Sequence, residues 1–412
     1  DPYLQRQNEP SVAASTRNPL HLLAGANDYR TVDMPGLSTG PETGDAWLGL
    51  FKSFDGGERW QSTLLPGYPQ DTSAEGLASP LHGFQAGADP VVRPGTNGLL
   101  YYAGLAFNRG ENQPSAVFMS RFVDNNNKEN GDPIKYIGTT IIDKSTGSDF
   151  IDKPWMAVDV PRAGARQCRI VVTEPAPDAK PGKGWGRFTG WKKVEEKKRQ
   201  KEADDLKKGK KPLPKPSKDP KPVAQSVAAG TIYVAYSRIT GTGAALESRI
   251  MFSSSDDCGQ TWSRPIRLSA VADKVNQGAN IAIDPKTGAV YVAWRQFGLT
   301  ATDTDSVMVA KIGRDGRNEA PYRVHKFNAH RPSDRLRRMI AEHRGGDADE
   351  VAQIQPFDMA SAEDRFRTNA YPTLAVDDES RVYVAWTERG FGRARPSTTD
   401  GDARVVVATS RT

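Results

Sequence analysis

Short apolar stretches recur along the chain in pairs, and every pair has the same internal order. The first member is an extended stretch with a Pro or a small residue near its start, and the second is denser in β-branched and aromatic residues. The first members are EPSVAAS (9–15), ADPVVRP (88–94), DKPWMAVD (152–159), GANIAIDP (278–285) and AYPTLAVD (370–377). The second members are LHLLAGA (20–26), GLLYYAGL (98–105), GTIYVAYS (230–237), GAVYVAWR (288–295) and SRVYVAWT (380–387). Short, turn-bounded runs of this composition predict β-strands.

A third strand candidate follows each pair, and a fourth follows in four of the five copies, as in RPIRLSA (264–270). Four antiparallel strands that repeat along a chain predict an all-β fold, a β-propeller, whose blades cover each other's apolar faces. About five blades are visible within 1–412, which we interpret as a single domain. The fifth copy stops after its third strand, ARVVVATS (403–410). We therefore expect the propeller to be incomplete at the C-terminus, with a further blade beyond Thr412.

One eight-residue motif, Ser-x-Asp-x-Gly-x-x-Trp, occurs twice, as SFDGGERW (53–60) and SDDCGQTW (255–262). Both copies fall between a third and a fourth predicted strand. Ser and Asp side chains hydrogen-bond within turns, Gly adopts a positive φ, and Trp can pack under a loop. We therefore predict a structural role for Ser53, Asp55, Gly57, Trp60, Ser255, Asp257, Gly259 and Trp262.

This motif is the Asp-box, and the chain resembles the Asp-box (BNR-repeat) sialidase-like β-propeller superfamily over everything except its insertions. The resemblance implies six blades in the complete protein. It leaves the activity open, because the superfamily contains sialidases, other glycosidases and propellers without catalysis.

The first repeat is similar to that of sialidases, which grip the substrate carboxylate with three arginines and use an Asp as acid/base. Arg30 in LLAGANDYR matches the first of those arginines. An acid/base Asp in the loop that follows would be Asp33 or Asp45. The family's opening Arg-Ile-Pro is absent, and the nearest stretch, QRQNEPSV, has Arg6 three residues before Glu9. The late Tyr nucleophile and the last Arg would fall beyond Thr412.

Arginine recurs in the loop that leaves each second strand, where a propeller forms its central mouth. These residues are Arg30, Arg109, Arg238, Arg295 and Arg389. They would either ring the mouth with guanidinium groups, which suit carboxylate, sulfate or phosphate, or pair with carboxylates of the blades. Further ligand-binding candidates near the mouth are Arg6, Glu9, Asp89, Asp152, Lys153, Asn280, Arg367, Asn369 and Glu388. Their carboxylates would supply a general acid or form structural salt bridges.

Charge is distributed unevenly along the chain. The net charge is +6, yet sixteen Lys or Arg against six Asp or Glu lie between Lys180 and Pro222, a local +10 that leaves −4 for the rest. This argues against a nucleic-acid-binding core. The basic segment belongs to an insertion in blade three, 177–226, read as a solvated loop or as a tether to an anionic polymer or membrane surface. A second insertion, 328–365, is predicted to contain a short helix within 331–346.

The two cysteines, Cys168 and Cys258, both fall in blade three, which predicts a disulfide between them and therefore an oxidising compartment; the alternative is two free buried thiols. The five histidines show no ligand spacing, and we expect neither a metal nor a cofactor. No apolar run approaches the ~20 residues of a membrane span. Because the chain begins at Asp1, we expect a removed leader or a trimmed start, and a secreted, extracellular or periplasmic protein.

Two functions fit these observations. The first is an exo-glycosidase of sialidase type that holds an anionic glycan at an Arg-lined mouth. The second is a non-catalytic extracellular propeller that binds glycan or a protein partner through the same mouth, or that self-associates through an open C-terminal edge.

Overall fold

Antiparallel sheets follow one another along the chain in the computed structural model, which describes residues 7–31, 45–110, 112–126, 133–173, 222–241, 245–299, 304–327, 370–388 and 404–410. The first sheet contains β1 (Gln7–Ala14), β2 (Leu22–Asp28), β3 (Trp47–Ser53) and β4 (Gln61–Leu64). The second contains β5 (Ala86–Pro94), β6 (Leu99–Phe107), β7 (Ser115–Asp124) and β8 (Ile134–Lys144). Single helical turns at Tyr29–Thr31, Ala74–Leu77 and Thr96–Gly98 lie in the connections.

The third sheet is interrupted by an extra hairpin. Its blade strands are β9 (Asp149–Val158), β12 (Ile232–Thr240), β13 (Glu247–Ser255) and β14 (Ile266–Arg267), while β10 (Gln167–Thr173) and β11 (Pro222–Ala228) form a separate two-stranded sheet. The fourth sheet contains β15 (Asn276–Ile283), β16 (Val290–Gln296), β17 (Asp305–Ile312) and β18 (Tyr322–Phe327). The fifth contains β19 (Thr373–Val376), β20 (Val382–Glu388) and β21 (Arg404–Thr409).

These sheets are the blades of a β-propeller. The first strands of successive sheets, β1, β5, β9, β15 and β19, pack against each other in sequence order, so that they line a common centre. Apolar side chains fill each junction between neighbouring sheets, for example Tyr102 and Phe118 between the first two and Trp294 between the third and fourth. All nine residues of β6 are buried, because this strand is covered on both faces. The predicted all-β propeller class is therefore confirmed.

A β-bulge interrupts the first strand of four blades at the same place. The register shifts between Asn8 and Ser11 in β1, between Ala88 and Val91 in β5, and between Gln277 and Asn280 in β15. In β9 it shifts between Asp152 and Trp155, which pair with Ser237 and Ala235 of β12. One residue in each bulge has a positive φ: Glu9 at 52°, Asp89 at 57°, Lys153 at 51° and Gly278 at 74°. Non-glycine residues seldom adopt this conformation, and a bulge redirects a side chain out of the regular alternation. The four bulges place these residues at one level around the centre.

The third blade differs from the sequence-based prediction at its insertion. Cys168 belongs to the extra hairpin β10–β11 instead of a blade strand, and residues 222–226, assigned to the insertion, lie in β11. A disulfide joins Cys168 to Cys258, in the turn after β13, which confirms the predicted pairing. The rest of the 177–226 insertion and all of 328–365, with its predicted helix, lie outside the described residues. The blade expected beyond Thr412 stays a prediction.

Candidate functional site

Charged side chains from three different blades meet at the centre of the propeller. The Nζ of Lys153 lies 3.2 Å from Oε1 of Glu9 and 3.4 Å from Oδ1 of Asp89. Because the first and third blades are separated by the second, Lys153 must reach across the central channel to contact Glu9. Asp152 precedes Lys153 and adds a third carboxylate to the group. We call these four residues, Glu9, Asp89, Asp152 and Lys153, the mouth cluster.

Amide and hydroxyl groups from the first, fourth and fifth blades hold the mouth cluster in place. The side chain of Asn27 donates to Oε2 of Glu9 at 3.4 Å and accepts the backbone N–H of Asp89 at 2.8 Å. On the other side, Nε2 of Gln277 donates to Oδ2 of Asp152 at 2.6 Å, and the hydroxyl of Tyr371 donates to the amide oxygen of Gln277. All five blades therefore contribute to one hydrogen-bonded centre.

A glycine makes the approach of Tyr371 possible. A Cβ atom at position 278 would lie 2.1 Å from Cδ1 of the Tyr371 ring, so any side chain there would displace the ring. Gly278 is the bulge residue of the fourth blade, and its φ of 74° is also one that glycine adopts without strain. The fourth blade thus leaves its central position open to the tyrosine of the fifth.

The pKa values of the two carboxyl groups nearest Lys153 are changed in opposite directions. Burial, together with the negative charge of Asp152, raises the pKa of Asp89 well above its ordinary value, against the opposing effect of Lys153. Burial also acts to raise the pKa of Glu9, but the hydrogen bond with Asp89 and the charge of Lys153 bring that pKa below its ordinary value. Although burial opposes it, the surrounding carboxylates raise the pKa of Lys153, which stays charged. The surroundings therefore favour the protonated form of Asp89 and the ionised form of Glu9.

The arginines predicted to ring the mouth are already bound by carboxylates wherever the structure describes them. The pairs are Arg30 with Asp28, Arg109 with Asp45, Arg238 with Asp143 and Asp149, and Arg295 with Asp305. The guanidinium of Arg30 also donates to the carbonyl of Thr63 in the outermost strand of its blade, at 2.9 Å. Arg295 and Asp305 are both completely buried. The structure thus has the second of the two arrangements considered above, pairing with blade carboxylates.

Other predicted site residues take structural positions. Oδ1 of Asn280 accepts the N–H of Leu374 at 3.1 Å, just as Oγ of Ser11 accepts the N–H of Val92 at 2.9 Å, and both bonds join the first strands of neighbouring blades. The carboxylate of Asp45 accepts the N–H of Ala46 and pairs with Arg109, apart from the mouth cluster. Glu388 accepts Nε1–H of Trp386 at 2.8 Å. Arg6, Asp33, Arg367, Asn369 and Arg389 lie outside the described residues.

The two copies of the repeated motif form the same turn. Oγ of Ser53 donates to Asp55 at 3.0 Å and accepts the N–H of Gly57 at 2.8 Å, and Ser255, Asp257 and Gly259 repeat these bonds at 2.8 and 2.9 Å. Each turn joins the third strand of its blade to the fourth, as predicted. These geometries support the structural role predicted for the motif.

The tryptophans that end the two motifs differ in burial. Trp262 is half-buried and donates to Oγ1 of Thr140 at 3.2 Å in the second blade. Trp60, which we predicted to pack under its loop, is instead 43% exposed and donates to the carbonyl of Gly57 at 3.1 Å. Only the tryptophan of the third blade therefore makes a contact between blades.

Sequence reasoning missed Asn27, Gln277 and Tyr371. A signal for Tyr371 was present, because Glu9, Asp89, Lys153 and Tyr371 each precede a proline near the start of a predicted first strand. The residue before proline is confined to a few backbone conformations, so a recurring X-Pro pair marks a recurring backbone feature. Asn27 and Gln277 have no comparable marker, since their partners come from other blades.

Within the described residues, no helix is long and apolar enough to cross a membrane, and no group of three or more His, Cys, Asp or Glu side chains is arranged to hold a metal ion.

Comparison with known proteins gives similarity to solved structures alone: no protein-family model and no curated protein sequence matches the chain. A Dyadobacter fermentans protein of unknown function is 12% identical, with a TM-score of 0.39 over 98% of this chain and 93% of that one. The Fusarium graminearum GH93 α-L-arabinofuranosidase, solved with arabinobiose, is 9% identical, with a TM-score of 0.41 over 100% and 95%. The Trypanosoma rangeli sialidase is 10% identical, with a TM-score of 0.40 over 99% and 47%. These values are too low to transfer a residue, a substrate or an activity to this chain.

Proposed function

We propose that this protein is a propeller of the glycoside hydrolase type, which binds a carbohydrate at its mouth and uses Asp89 and Glu9 as its reacting carboxyl groups. The observation that carries the proposal is the opposite direction of the two pKa changes, upward for Asp89 and downward for Glu9. Cleavage of a glycosidic bond needs a protonated carboxyl group and an ionised one within reach of the same bond. Titratable groups whose surroundings push their pKa values apart are the usual way to supply both at one pH.

Cleavage of the glycosidic bond combines proton transfer from Asp89 with attack by a water molecule, and the electron pair of the broken bond stays on the glycosidic oxygen. Asp89 gives its proton to the glycosidic oxygen as the bond from that oxygen to the anomeric carbon breaks. A water molecule attacks the anomeric carbon, and its proton passes to the carboxylate of Glu9, which must first exchange its hydrogen bond with Asp89 for one with that water. Lys153, 3.2 Å from Oε1 of Glu9, keeps that carboxylate ionised before the reaction. The amides of Asn27 and Gln277 and the hydroxyl of Tyr371 provide hydrogen-bonding groups of the kind that sugar hydroxyls match.

The charge of the site favours a sugar that is uncharged at the reacting ring. The mouth cluster contains three carboxyl groups and one lysine, and the described arginines nearest the mouth are held by aspartates. In the part of the mouth that the structure describes, a carboxylate-bearing sugar would therefore meet negative charge without a free guanidinium to offset it. We propose a neutral glycan in place of the anionic one expected from the sequence. The disulfide between Cys168 and Cys258 supports secretion into an oxidising compartment.

A second candidate, binding without turnover, is favoured by the position of Lys153. Its ammonium group contacts both Glu9 and Asp89 and so ties together the two groups that the reaction needs to be free. A cluster fixed in this way would serve as a rigid platform for a glycan or for a protein partner. The same variants distinguish this function from catalysis.

The test measures hydrolysis of a panel of neutral aryl glycosides and of a fluorogenic sialoside by the wild-type protein and by Asp89→Asn and Glu9→Gln. Asp315→Asn is the control, because its carboxylate is 58% exposed and lies in the turn after β17, away from the mouth. We expect turnover of a neutral glycoside, reduced by about 10²-fold or more in both mouth variants and unchanged in the control. Glycan binding without turnover, lost in the mouth variants, would support the second candidate. Turnover that survives both substitutions would contradict the catalytic assignment.

A further inference from the structure

A second concave site lies at the far end of the third and fourth blades. Asp159, at this site, directly follows β9 and is six positions after Lys153, at the mouth, a distance of about 20 Å along an extended strand. The site is a cleft of about 440 Å³, bordered by the connection from β9 to β10, by the segment leading into β14 and by the turn between β17 and β18. A volume of this size accommodates a small ligand or one unit of a larger one. We call it the basal cleft.

The basal cleft has a positive rim. Four arginines and two aspartates line it, a net charge of +2. The side chain of Arg162 is fixed at the side of the cleft, because its guanidinium group donates to Asp159 at 2.5 Å and to the carbonyl of Asp284 at 2.9 Å. Arg166 and Asp256 pair at 3.0 Å while each remains 61% exposed, so solvent already competes for that pair. Arg166 can therefore exchange Asp256 for an anionic ligand with little loss of free energy.

Two other rim arginines have donors to spare. Arg314 uses one N–H, at 2.9 Å from the carbonyl of Ala163, out of the five that a guanidinium carries. Arg264 is exposed and has no carboxylate partner among the described residues. The contrast with the mouth is clear, because each described arginine there is bound by an aspartate. Guanidinium donors that can take an anion are therefore present at the basal cleft, in Arg264 and Arg314.

The interior of the basal cleft is apolar and partly aromatic. The rings of Tyr233 and Phe252 stack with their centroids 5.7 Å apart and their planes 20° apart. Phe252 is buried and Tyr233 half-buried, while Ile266 beside them is 39% exposed. Apolar lining residues beside a rim of guanidinium groups suit a ring-shaped ligand that carries an anionic substituent, since the ring can pack against Tyr233 and Ile266 while the anion is bound bidentately.

We propose that the basal cleft binds an acidic sugar unit, one that carries a carboxylate or a sulfate, within a polysaccharide chain. Its volume fits one or two rings, and its open rim lets the chain continue on both sides. The site is independent of the mouth cluster and of whether the mouth is catalytic. It would hold the protein on an acidic polysaccharide while the mouth acts on, or binds, a neutral one.

Calorimetric titration with trigalacturonic acid, with maltotriose as the neutral comparison, tests this proposal. The variant is Arg264→Gln/Arg314→Gln, and the matched control is Arg317→Gln, which changes a 90% exposed arginine in the same turn as Arg314 but outside the cleft. We expect the wild-type protein and the control to bind the acidic trisaccharide, more weakly as salt rises, and the double variant to lose about tenfold or more in affinity.

Four results would overturn the proposal. They are the absence of binding to both the carboxylated and the sulfated trisaccharide, equal binding of maltotriose, binding that the double variant retains, and tighter binding of a single-stranded oligonucleotide than of either acidic trisaccharide. Sulfated and carboxylated trisaccharides, titrated in parallel, identify which anion the rim prefers. Thermal unfolding of each variant establishes that all three proteins are folded.

Discussion

The ammonium group of Lys153 lies 3.2 Å from the carboxylate of Glu9, although a complete blade separates the two residues around the ring. Each of them sits in a β-bulge with a positive φ, directly before a proline. The contact therefore depends on an unusual backbone conformation that is repeated in two blades. It also links the first blade to the third through the centre, in addition to the apolar junctions between neighbouring blades.

Replacement of Lys153 by Met should destabilise the protein and change the titration of Glu9. Without the ammonium group, three partly buried carboxyl groups face each other, and we expect a loss of about 2 kcal/mol in the free energy of unfolding at neutral pH. The pKa of Glu9 should rise, because one of the charges that lowers it is gone. Urea denaturation and a pH titration followed by NMR measure the two effects.

The control for this experiment is Lys311→Met. Lys311 pairs with Glu319 at 3.1 Å on the surface, where the two side chains are 38% and 63% exposed, and such pairs contribute about 0.5 kcal/mol. Equal losses in the two variants would show that the mouth cluster has no special electrostatic coupling.

Asp89→Asn should remove a pH dependence of stability. The pKa of Asp89 is raised in the folded protein by burial and by Asp152, so its contribution to stability is fully present below about pH 4 and is lost as pH rises through the raised pKa. Asn cannot ionise, and the variant should lack this decline. The measurement is the free energy of unfolding in urea at several pH values between 4 and 8.

Asp55→Asn, measured in the same way between about pH 2 and 4, provides a comparison of opposite sign. Hydrogen bonding from the N–H of Arg59 lowers the pKa of Asp55, so its contribution is present above about pH 4 and is lost as pH falls through the lowered pKa. A decline between pH 4 and 8 that persists in Asp89→Asn would mean that another group causes it.

The turn after β13 should be important for stability and not for activity. The carboxylate of Asp257 accepts hydrogen bonds from Ser255, from the N–H of Gln260 and from both the N–H and the hydroxyl of Thr261. Asp257→Ala leaves these donors without an acceptor in a buried turn and should cost about 2–3 kcal/mol.

The equivalent change in the first blade, Asp55→Ala, should cost less, because water replaces the carboxylate in a turn that is more exposed. Denaturant unfolding and glycoside hydrolysis are measured side by side on both variants. A loss of turnover in Asp257→Ala without a loss of stability would contradict the structural role.

The buried pair of Arg295 and Asp305 should behave as a structural unit. Both side chains are fully buried and lie 2.5 Å apart, so Arg295→Met leaves a buried carboxylate without its partner, which typically costs about 3–5 kcal/mol. Arg109→Met is the control, since Arg109 is 68% exposed and its loss should cost about 0.5 kcal/mol or less. Thermal unfolding compares the two. An Arg295→Met protein that keeps its stability but loses affinity for an anionic sugar would contradict the structural role and would indicate that Arg295 binds the sugar.

Much of the architecture could be predicted because its causes are local. Strand composition, turn residues and the repeated Ser-x-Asp-x-Gly-x-x-Trp motif act over a few residues, and the strands β1, β6, β12 and β16 lie where the apolar stretches indicated. The extra hairpin β10–β11 could not be assigned in this way. Its composition resembles that of a blade strand, and only its pairing partner shows that it stands outside the third sheet.

For the candidate site, the sequence determined which ionisable residues stand near the ends of the blade strands, and Glu9, Asp89, Asp152 and Lys153 were among them. It could not determine which of them meet. The partner of a long side chain depends on the direction in which the backbone points it, and the bulges set that direction at the mouth. The arginines had equivalent positions in sequence, yet each one that the structure describes is bound by aspartate. Two of these aspartates come from a neighbouring blade, Asp45 for Arg109 and Asp143 for Arg238, and a contact between blades depends on packing that the sequence does not display. Tertiary structure therefore decided that the described part of the mouth is mainly acidic and that guanidinium donors are available at the basal cleft.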